Sequence, residues 1–98
     1  MQQLDPASLA VKIAENSVHL LDVREPFEHA ADNLGGQLIP LGELGKRWAE
    51  IPLDKPIVVY CKKGIRSIIA IQKLQDRLPQ VTWLNLAGGI EAWKKSLP

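Results

Sequence analysis

The sequence has 98 residues, of which 46% are hydrophobic and 23% are charged, with a formal net charge of +1. This length and composition predict one globular domain, residues 1–98, and exclude an intrinsically disordered chain. The near-neutral charge provides no overall field that would attract nucleic acid or an anionic membrane. The chain has one cysteine, which excludes an internal disulfide and suits a reducing compartment.

The first half of the chain predicts alternating helices and strands. Asp5 followed by Pro6 is typical of a helix start, with the aspartate as N-cap. The predicted elements of this half are helix Ala7–Glu15, strand Val18–Val23, helix Pro26–Ala31, strand Leu38-Ile39 and helix Leu41–Glu50. The first residues hold no basic segment followed by an apolar run, and no apolar stretch reaches membrane-spanning length. We therefore expect a soluble, cytoplasmic protein.

The second half continues the alternation with longer and more apolar elements. The predicted elements are strand Ile57–Tyr60, helix Ser67–Leu78, strand Val81–Leu86 and helix Ile90–Ser96. Strands that alternate with helices at this spacing predict an α/β fold, with a mostly parallel sheet covered by helices on both faces.

The chain's only cysteine, Cys61, follows the apolar strand directly and begins a basic, glycine-containing loop. The loop residues are Lys62, Lys63, Gly64, Ile65 and Arg66. We expect the strand end to present the sulfur outward, where loop N–H groups, a helix N-terminus and three cationic side chains favour a thiolate. Gly64 is expected to adopt a positive φ that curls the loop. The hypothesis is that Cys61 is a catalytic nucleophile; the alternative is an unreactive buried cysteine.

Three predicted loops leave the carboxyl edge of the sheet, where open parallel sheets bind ligands. They are Asp22–Glu25, Cys61–Arg66 and Ala87–Gly89. The pair Gly88 and Gly89 allows the backbone to come close to a neighbouring segment or a ligand.

Several side chains in these loops have two possible roles. Asp22 and Arg24 are expected to form an ion pair that fixes the first loop, a role we favour over acid–base work. Arg66 would either bind an anion or tie its loop to a nearby acidic group, and we favour the second role. Ser67 would cap the following helix or hydrogen-bond the cysteine sulfur, and capping is the commoner role for serine at a helix start.

Neither histidine predicts a metal site or a catalytic base. His19 and His29 lie apart and have no partner at metal-ligand or dyad spacing. No metal is therefore expected.

Three segments together resemble the rhodanese (thiosulfate sulfurtransferase) domain family. They are Leu21–Pro26, Val59–Ser67 and Asn85–Trp93, and their order and spacing match the family over nearly the whole chain. The resemblance implies a five-stranded mostly parallel sheet, a Cys61 that cycles between thiolate and persulfide, and a loop Cys61–Arg66 that cradles the persulfide. It implies no metal or organic cofactor. Cysteine phosphatases are similar but place five residues between cysteine and arginine, whereas this loop places four.

The function that this resemblance implies is transfer of sulfur from thiosulfate or a similar donor to cyanide or a thiol acceptor. Lys62 and Lys63 favour a doubly anionic donor such as thiosulfate over mercaptopyruvate. The alternatives are a carrier module that delivers persulfide sulfur to a partner enzyme, and a redox or regulatory domain in which Cys61 is oxidised reversibly. Neither nucleic acid nor a membrane is expected as a partner.

One segment departs from the family's pattern. Where the family often has Gly-His-Ile-Pro-Gly-Ala, this chain has Asp32–Gln37, with Asn33 in place of the histidine and one residue fewer before Pro40. The sequence therefore leaves the register of the third strand open.

Overall fold

A computed structural model describes residues 1–97. Within that range five strands form one sheet, and all of their pairings are parallel. The strands are β1 Gln2–Leu4, β2 His19–Asp22, β3 Gln37–Leu38, β4 Ile57–Tyr60 and β5 Trp83–Leu86. The helices are α1 Pro6–Ala14, α2 Pro26–Ala31, α3 Leu44–Arg47, α4 Arg66–Arg77 and α5 Gly89–Ser96. The strand order is β1-β5-β4-β2-β3, so β4 lies at the centre of the sheet.

The central strand β4 has all four residues buried, because helices cover both faces of the sheet. Val58 and Tyr60 pack into a core with Leu9 of α1 and Ile90 of α5. The alternate residues of β4 point to the opposite face, where the core includes these residues of α3 and α4: Leu44, Ala70, Ile71 and Leu74. The predicted α/β architecture is thus confirmed.

Apart from shifts of one or two residues in the bounds, the observed elements differ from the prediction in two places. The strand β1 was not recognised, because Gln2 and Gln3 are exposed and only Leu4 is buried. The predicted continuous helix Leu41–Glu50 is wrong, since only α3 is α-helical and it is flanked by short 3₁₀ turns at Leu41–Glu43 and Trp48–Glu50.

The register of the third strand, which the sequence left open, is given by the pairing of β3 with β2. Leu21 lies opposite Gln37, and Asp22 lies opposite Leu38. Asn33 stabilises the preceding turn, since its Oδ1 accepts from the N–H of Gly35 at 2.8 Å.

Because all strands run in the same direction, the loops after β2, β4 and β5 emerge at one edge of the sheet, as predicted. This edge carries the cysteine loop. None of the helices in residues 1–97 combines the length and the apolar character that crossing a membrane requires.

Candidate active site

The sequence suggested that the sulfur of Cys61 would point outward from the strand end. That expectation is wrong. The residue is only 1% exposed, because the following loop folds over it. A small cavity of about 160 Å³ reaches it, and the other residues of its lining are Lys62, Lys63, Ile65 and Arg66. The thiol therefore lies at the base of a pocket formed by its own loop.

Backbone N–H groups of the loop converge on the sulfur. The N–H of Gly64 donates to Cys61 Sγ at 3.1 Å, and the N–H of Ser67 does so at 3.4 Å. Gly64 has a φ of +94°, the left-handed conformation that curls the loop. Within residues 1–97 the N–H groups of Lys63 and Ile65 have no hydrogen-bond acceptor. An anion bound within the loop could therefore accept from them without breaking an existing hydrogen bond.

The carbonyl groups on the outer side of the loop are held by helix α5. Cys61 O accepts from the N–H of Ile90 at 2.9 Å, and Lys62 O accepts from the N–H of Glu91 at 3.1 Å. The chain reaches this position through Gly88 and Gly89, whose φ values are +75° and +64°. We call these two hydrogen bonds the α5 clasp. It satisfies the loop carbonyls and so helps to fix the curl of the loop around the sulfur.

Ser67 does not cap helix α4, so that expectation is wrong. The N-cap position is Ile65, and no side chain makes a cap hydrogen bond there. The Ser67 hydroxyl instead lies 3.4 Å from Cys61 Sγ and is hydrogen-bonded to Oδ1 of Asn85, a buried residue of β5. Asn85 was not singled out from the sequence, because nothing in its spacing points to the cysteine.

Arg66 is held by an acidic side chain, the role that the sequence analysis favoured. Its Nη1 and Nη2 donate to Oε1 and Oε2 of Glu28 at 2.7 and 2.9 Å. This two-point hydrogen bond lowers the pKa of Glu28 to about 2, and the same bond raises the pKa of Arg66. Glu28 was not identified from the sequence, where 38 positions separate it from Arg66.

Asp22 and Arg24 form the expected ion pair. Arg24 Nε and Nη2 donate to the Asp22 carboxylate at 2.9 and 2.8 Å, and the guanidinium also contacts Asp32. Burial is the largest single influence on Arg24 and lowers the pKa of the guanidinium. The hydrogen bond to Asp22 and the attraction of nearby negative groups together outweigh burial, so the pKa is raised. The ion pair fixes the loop after β2. Because Arg24 is only 2% exposed and its charge is paired, it is not a free cation of the cysteine pocket.

His29 has a partner that its sequence spacing did not suggest. Its Nδ1 lies 2.8 Å from Oδ2 of Asp22. The contact forms because the short helix α2 places His29 beside the end of β2, where Asp22 lies. Among residues 1–97 no group of three or more His, Cys, Asp or Glu side chains is placed to hold a metal ion.

The exposed cations of the site are Lys62 and Lys63. Both side chains are exposed, and neither forms an ion pair with any residue in the range 1–97. They are therefore free to attract an anion toward the mouth of the pocket.

Comparisons with known proteins give the family that the sequence resembles. The family model described as a rhodanese-like domain matches residues 5–96. A protein of Allochromatium vinosum named sulfurtransferase is 37% identical over 98 residues, covering 97% of this chain and 90% of that protein. The crystal structure of a rhodanese-related protein from Thermoplasma volcanium superposes with a TM-score of 0.86 at 30% identity, covering 100% and 96% of the two chains. The chain thus belongs to the rhodanese-like domain family.

A second kind of relative is a much longer protein. The probable adenylyltransferase/sulfurtransferase MoeZ of Mycobacterium tuberculosis is 38% identical over 81 residues. The match covers 80% of this chain but only 20% of that protein, so it concerns one part of a larger molecule.

Proposed function

We propose that this protein is a sulfurtransferase that carries sulfane sulfur as a persulfide on Cys61. The observation that carries the proposal is the convergence of the Gly64 and Ser67 N–H groups on Sγ at the base of an anion-sized pocket. Such donors stabilise a thiolate and, one bond further out, a persulfide anion. The name of the Allochromatium vinosum relative supports the same reaction class.

In the proposed reaction the Cys61 thiolate attacks the outer sulfur of a donor such as thiosulfate. A new S–S bond forms to Sγ, the donor's own S–S bond breaks with its electron pair, and sulfite leaves. Cyanide or an acceptor thiolate then attacks the outer sulfur of the persulfide. This releases thiocyanate or a new persulfide and returns the Cys61 thiolate, so both half-reactions balance without an external oxidant or reductant.

The proposed donor is a small dianion, because Lys62 and Lys63 are unpaired at the pocket mouth while Arg66 is neutralised by Glu28. Replacing both lysines by glutamine should raise the KM for thiosulfate by about three- to tenfold and affect mercaptopyruvate, which has one carboxylate, less. Steady-state rates with the two donors measure this. Equal or better use of mercaptopyruvate by the unaltered protein would overturn the donor preference.

The test of the reaction itself is the mass of the protein after incubation with thiosulfate. We expect a gain of one sulfur atom that disappears on adding cyanide, with release of thiocyanate. Cys61→Ser should show neither, and alkylation of the unaltered protein before incubation should also prevent the gain. Equal thiocyanate production by Cys61→Ser would refute the proposal. Hydrolysis of phosphate esters by the unaltered protein, without sulfur transfer, would favour a phosphatase function.

A second candidate function is delivery of the sulfur to a partner protein, in place of a small acceptor. Phe27 of α2 is 74% exposed beside the cysteine loop and lines a groove of about 460 Å³ that shares Lys62 with the cysteine pocket. An acceptor protein that docked here would bury this apolar side chain, whereas an ion as small as cyanide would leave it exposed. The similarity to part of MoeZ is consistent with such a role.

The second candidate can be separated from the first with Phe27→Ser. This variant should keep the rate of thiocyanate formation but lose chemical crosslinks between the sulfur-loaded protein and an acceptor protein in a cell extract. If no crosslinked product depends on Phe27, the carrier role is contradicted and the small-molecule reaction remains.

A further inference from the structure

A row of polar side chains connects the edge strand β1 with the reactive sulfur. It runs from Gln3 through Asn85 and Ser67 to Cys61, and both inner members are buried, Ser67 at 0% and Asn85 at 1% exposure. The reaction proposed above assigns no role to Asn85. Asn85 places a buried amide beside the Ser67 hydroxyl, and buried polar groups are costly unless they are hydrogen-bonded. The hydrogen bonds of Asn85 therefore show what the residue does at this position.

The orientation of the Asn85 amide follows from its neighbours. Its Nδ2 lies 3.5 Å from the carbonyl oxygen of Gly64 and 2.9 Å from Oε1 of Gln3. The Gly64 carbonyl can only accept, so the NH₂ group must face it and the amide oxygen must face the opposite side. On that side lies the hydroxyl of Ser67.

This orientation decides what the Ser67 hydroxyl can do. Asn85 Oδ1 has no proton, so Ser67 must donate its single hydroxyl proton to it. The Ser67 oxygen then presents lone pairs to Cys61 Sγ, 3.4 Å away. It can accept a hydrogen bond from the Cys61 thiol, but it cannot donate one to the thiolate.

Opposing influences therefore act on the sulfur. The N–H groups of Gly64 and Ser67 favour the thiolate, whereas the Ser67 oxygen, held in this orientation by Asn85, favours the thiol. Once the sulfur is loaded, Sγ has no proton and the charge lies on the outer sulfur atom. The Ser67 oxygen therefore influences ionisation chiefly in the sulfur-free form of the protein, in which Sγ can carry a proton.

We propose that Asn85 is a positioning residue that acts through the Ser67 hydroxyl to hold back ionisation of sulfur-free Cys61. The proposal rests on the proposed function in that Cys61 is taken as the nucleophile. Without the Asn85 acceptor, rotation of the Ser67 hydroxyl would direct its proton to the thiolate. Asn85 thereby limits the reactivity of the empty site toward unintended electrophiles.

The test is the rate at which iodoacetamide alkylates Cys61 as a function of pH. In Asn85→Leu, which has a similar shape but no acceptor, we expect alkylation at neutral pH to be about tenfold faster, with the midpoint of the profile at lower pH. Asn85→Ala serves the same purpose if the leucine variant does not fold, as judged by its circular dichroism. An unchanged or slower rate in the folded variant would overturn the proposal.

A double-mutant cycle separates this role from simple loosening of the loop. In a Ser67→Ala background the Asn85→Leu change should alter the alkylation rate by less than about twofold, because the hydroxyl that transmits the effect is absent. The same increase in both backgrounds would mean that Asn85 acts through its bond to the Gly64 carbonyl, and would overturn the inference. Alkylation involves no sulfur donor, so this result is independent of whether the protein forms a persulfide.

Discussion

At the scale of single residues, Gly89 occupies a position that leaves no room for a side chain. A Cβ built there would lie 2.4 Å from Lys62 O and 2.5 Å from Cys61 O, and the φ of the residue is +64°. Both oxygens belong to the backbone of the cysteine loop, so they cannot move aside as a flexible side chain would. The sequence predicted a close backbone approach at this glycine pair, but it could not say whether a neighbour or a ligand would be approached.

Gly89→Ala should therefore displace the cysteine loop. We expect the free energy of unfolding to fall by about 2 kcal/mol or more, and sulfur transfer to fall at least about tenfold, because the α5 clasp would be pushed open. Chemical denaturation and thiocyanate formation measure these effects. The matched control is Gly42→Ala, where a Cβ would meet nothing within 4 Å, and equal losses in the two variants would contradict the explanation.

At the scale of elements, the ion pair between Glu28 and Arg66 joins helix α2 to the beginning of helix α4. Glu28 is half-buried and Arg66 lies at the end of the cysteine loop, so the pair ties helix α2 to the loop after β4. The sequence predicted that Arg66 would find an acidic group. It could not identify that group, because a contact over 38 positions depends on how β2 and β4 pair, and no local spacing encodes it.

This ion pair should make stability depend on acid pH. The pKa of Glu28 is lowered from 4.5 to about 2 by the Arg66 hydrogen bond, so its contribution is complete above pH 4.5 and is lost as the pH falls toward 2. Glu28→Gln should lower the free energy of unfolding at neutral pH by about 1 kcal/mol and flatten its fall in that acid range. Denaturation curves at a series of pH values would measure both changes.

A suitable control for this prediction is Glu15→Gln, at an exposed position after helix α1. It should keep the acid dependence of the unaltered protein. If Glu28→Gln and Glu15→Gln gave the same pH profile, the ion pair would not be the source of the acid sensitivity.

At the scale of the whole molecule, the sequence predicted the parts of the fold whose signals are local. Periodicity, caps and breakers placed α1, α2, β4 and α4 within a residue or two of their observed bounds. The strand β1 has no such signal, because it is a strand only through its parallel pairing with β5, more than 80 positions later. The site follows the same division: the loop Cys61–Arg66 was predictable from its residues, whereas Glu28 and Asn85 enter only through tertiary contacts.

The segment Leu41–Glu50 is a case in which periodicity predicted more regular structure than the chain forms. Leu44 and Trp48 are four residues apart and predict one helix, but Gly42 and Gly45 weaken it. The chain forms a single α-helical turn between two 3₁₀ turns.

The dependence of β1 on the rest of the sheet gives a prediction for Leu4. This side chain is buried in the core shared by β4, β5, α1 and α5. Leu4→Ala should lower the free energy of unfolding by about 2–4 kcal/mol, because it removes buried methyl groups and leaves a cavity. Chemical denaturation measures the loss. Gln2→Ala changes an exposed residue of the same strand and should have little effect. A comparable loss in that variant would mean that the stability contributed by β1 comes from strand pairing and not from burial of Leu4.

The α5 clasp has a consequence for the order in which the protein is made. Ribosomes release a chain from its N-terminus, and the two N–H groups that hold the cysteine loop come from Ile90 and Glu91, about 30 positions after the cysteine. A nascent chain that has exposed Cys61 but not yet residue 91 therefore has the thiol without its finished cradle. The hydrogen bonds that fix the loop around the Cys61 sulfur therefore form late in synthesis, after the strands of the sheet have already left the ribosome.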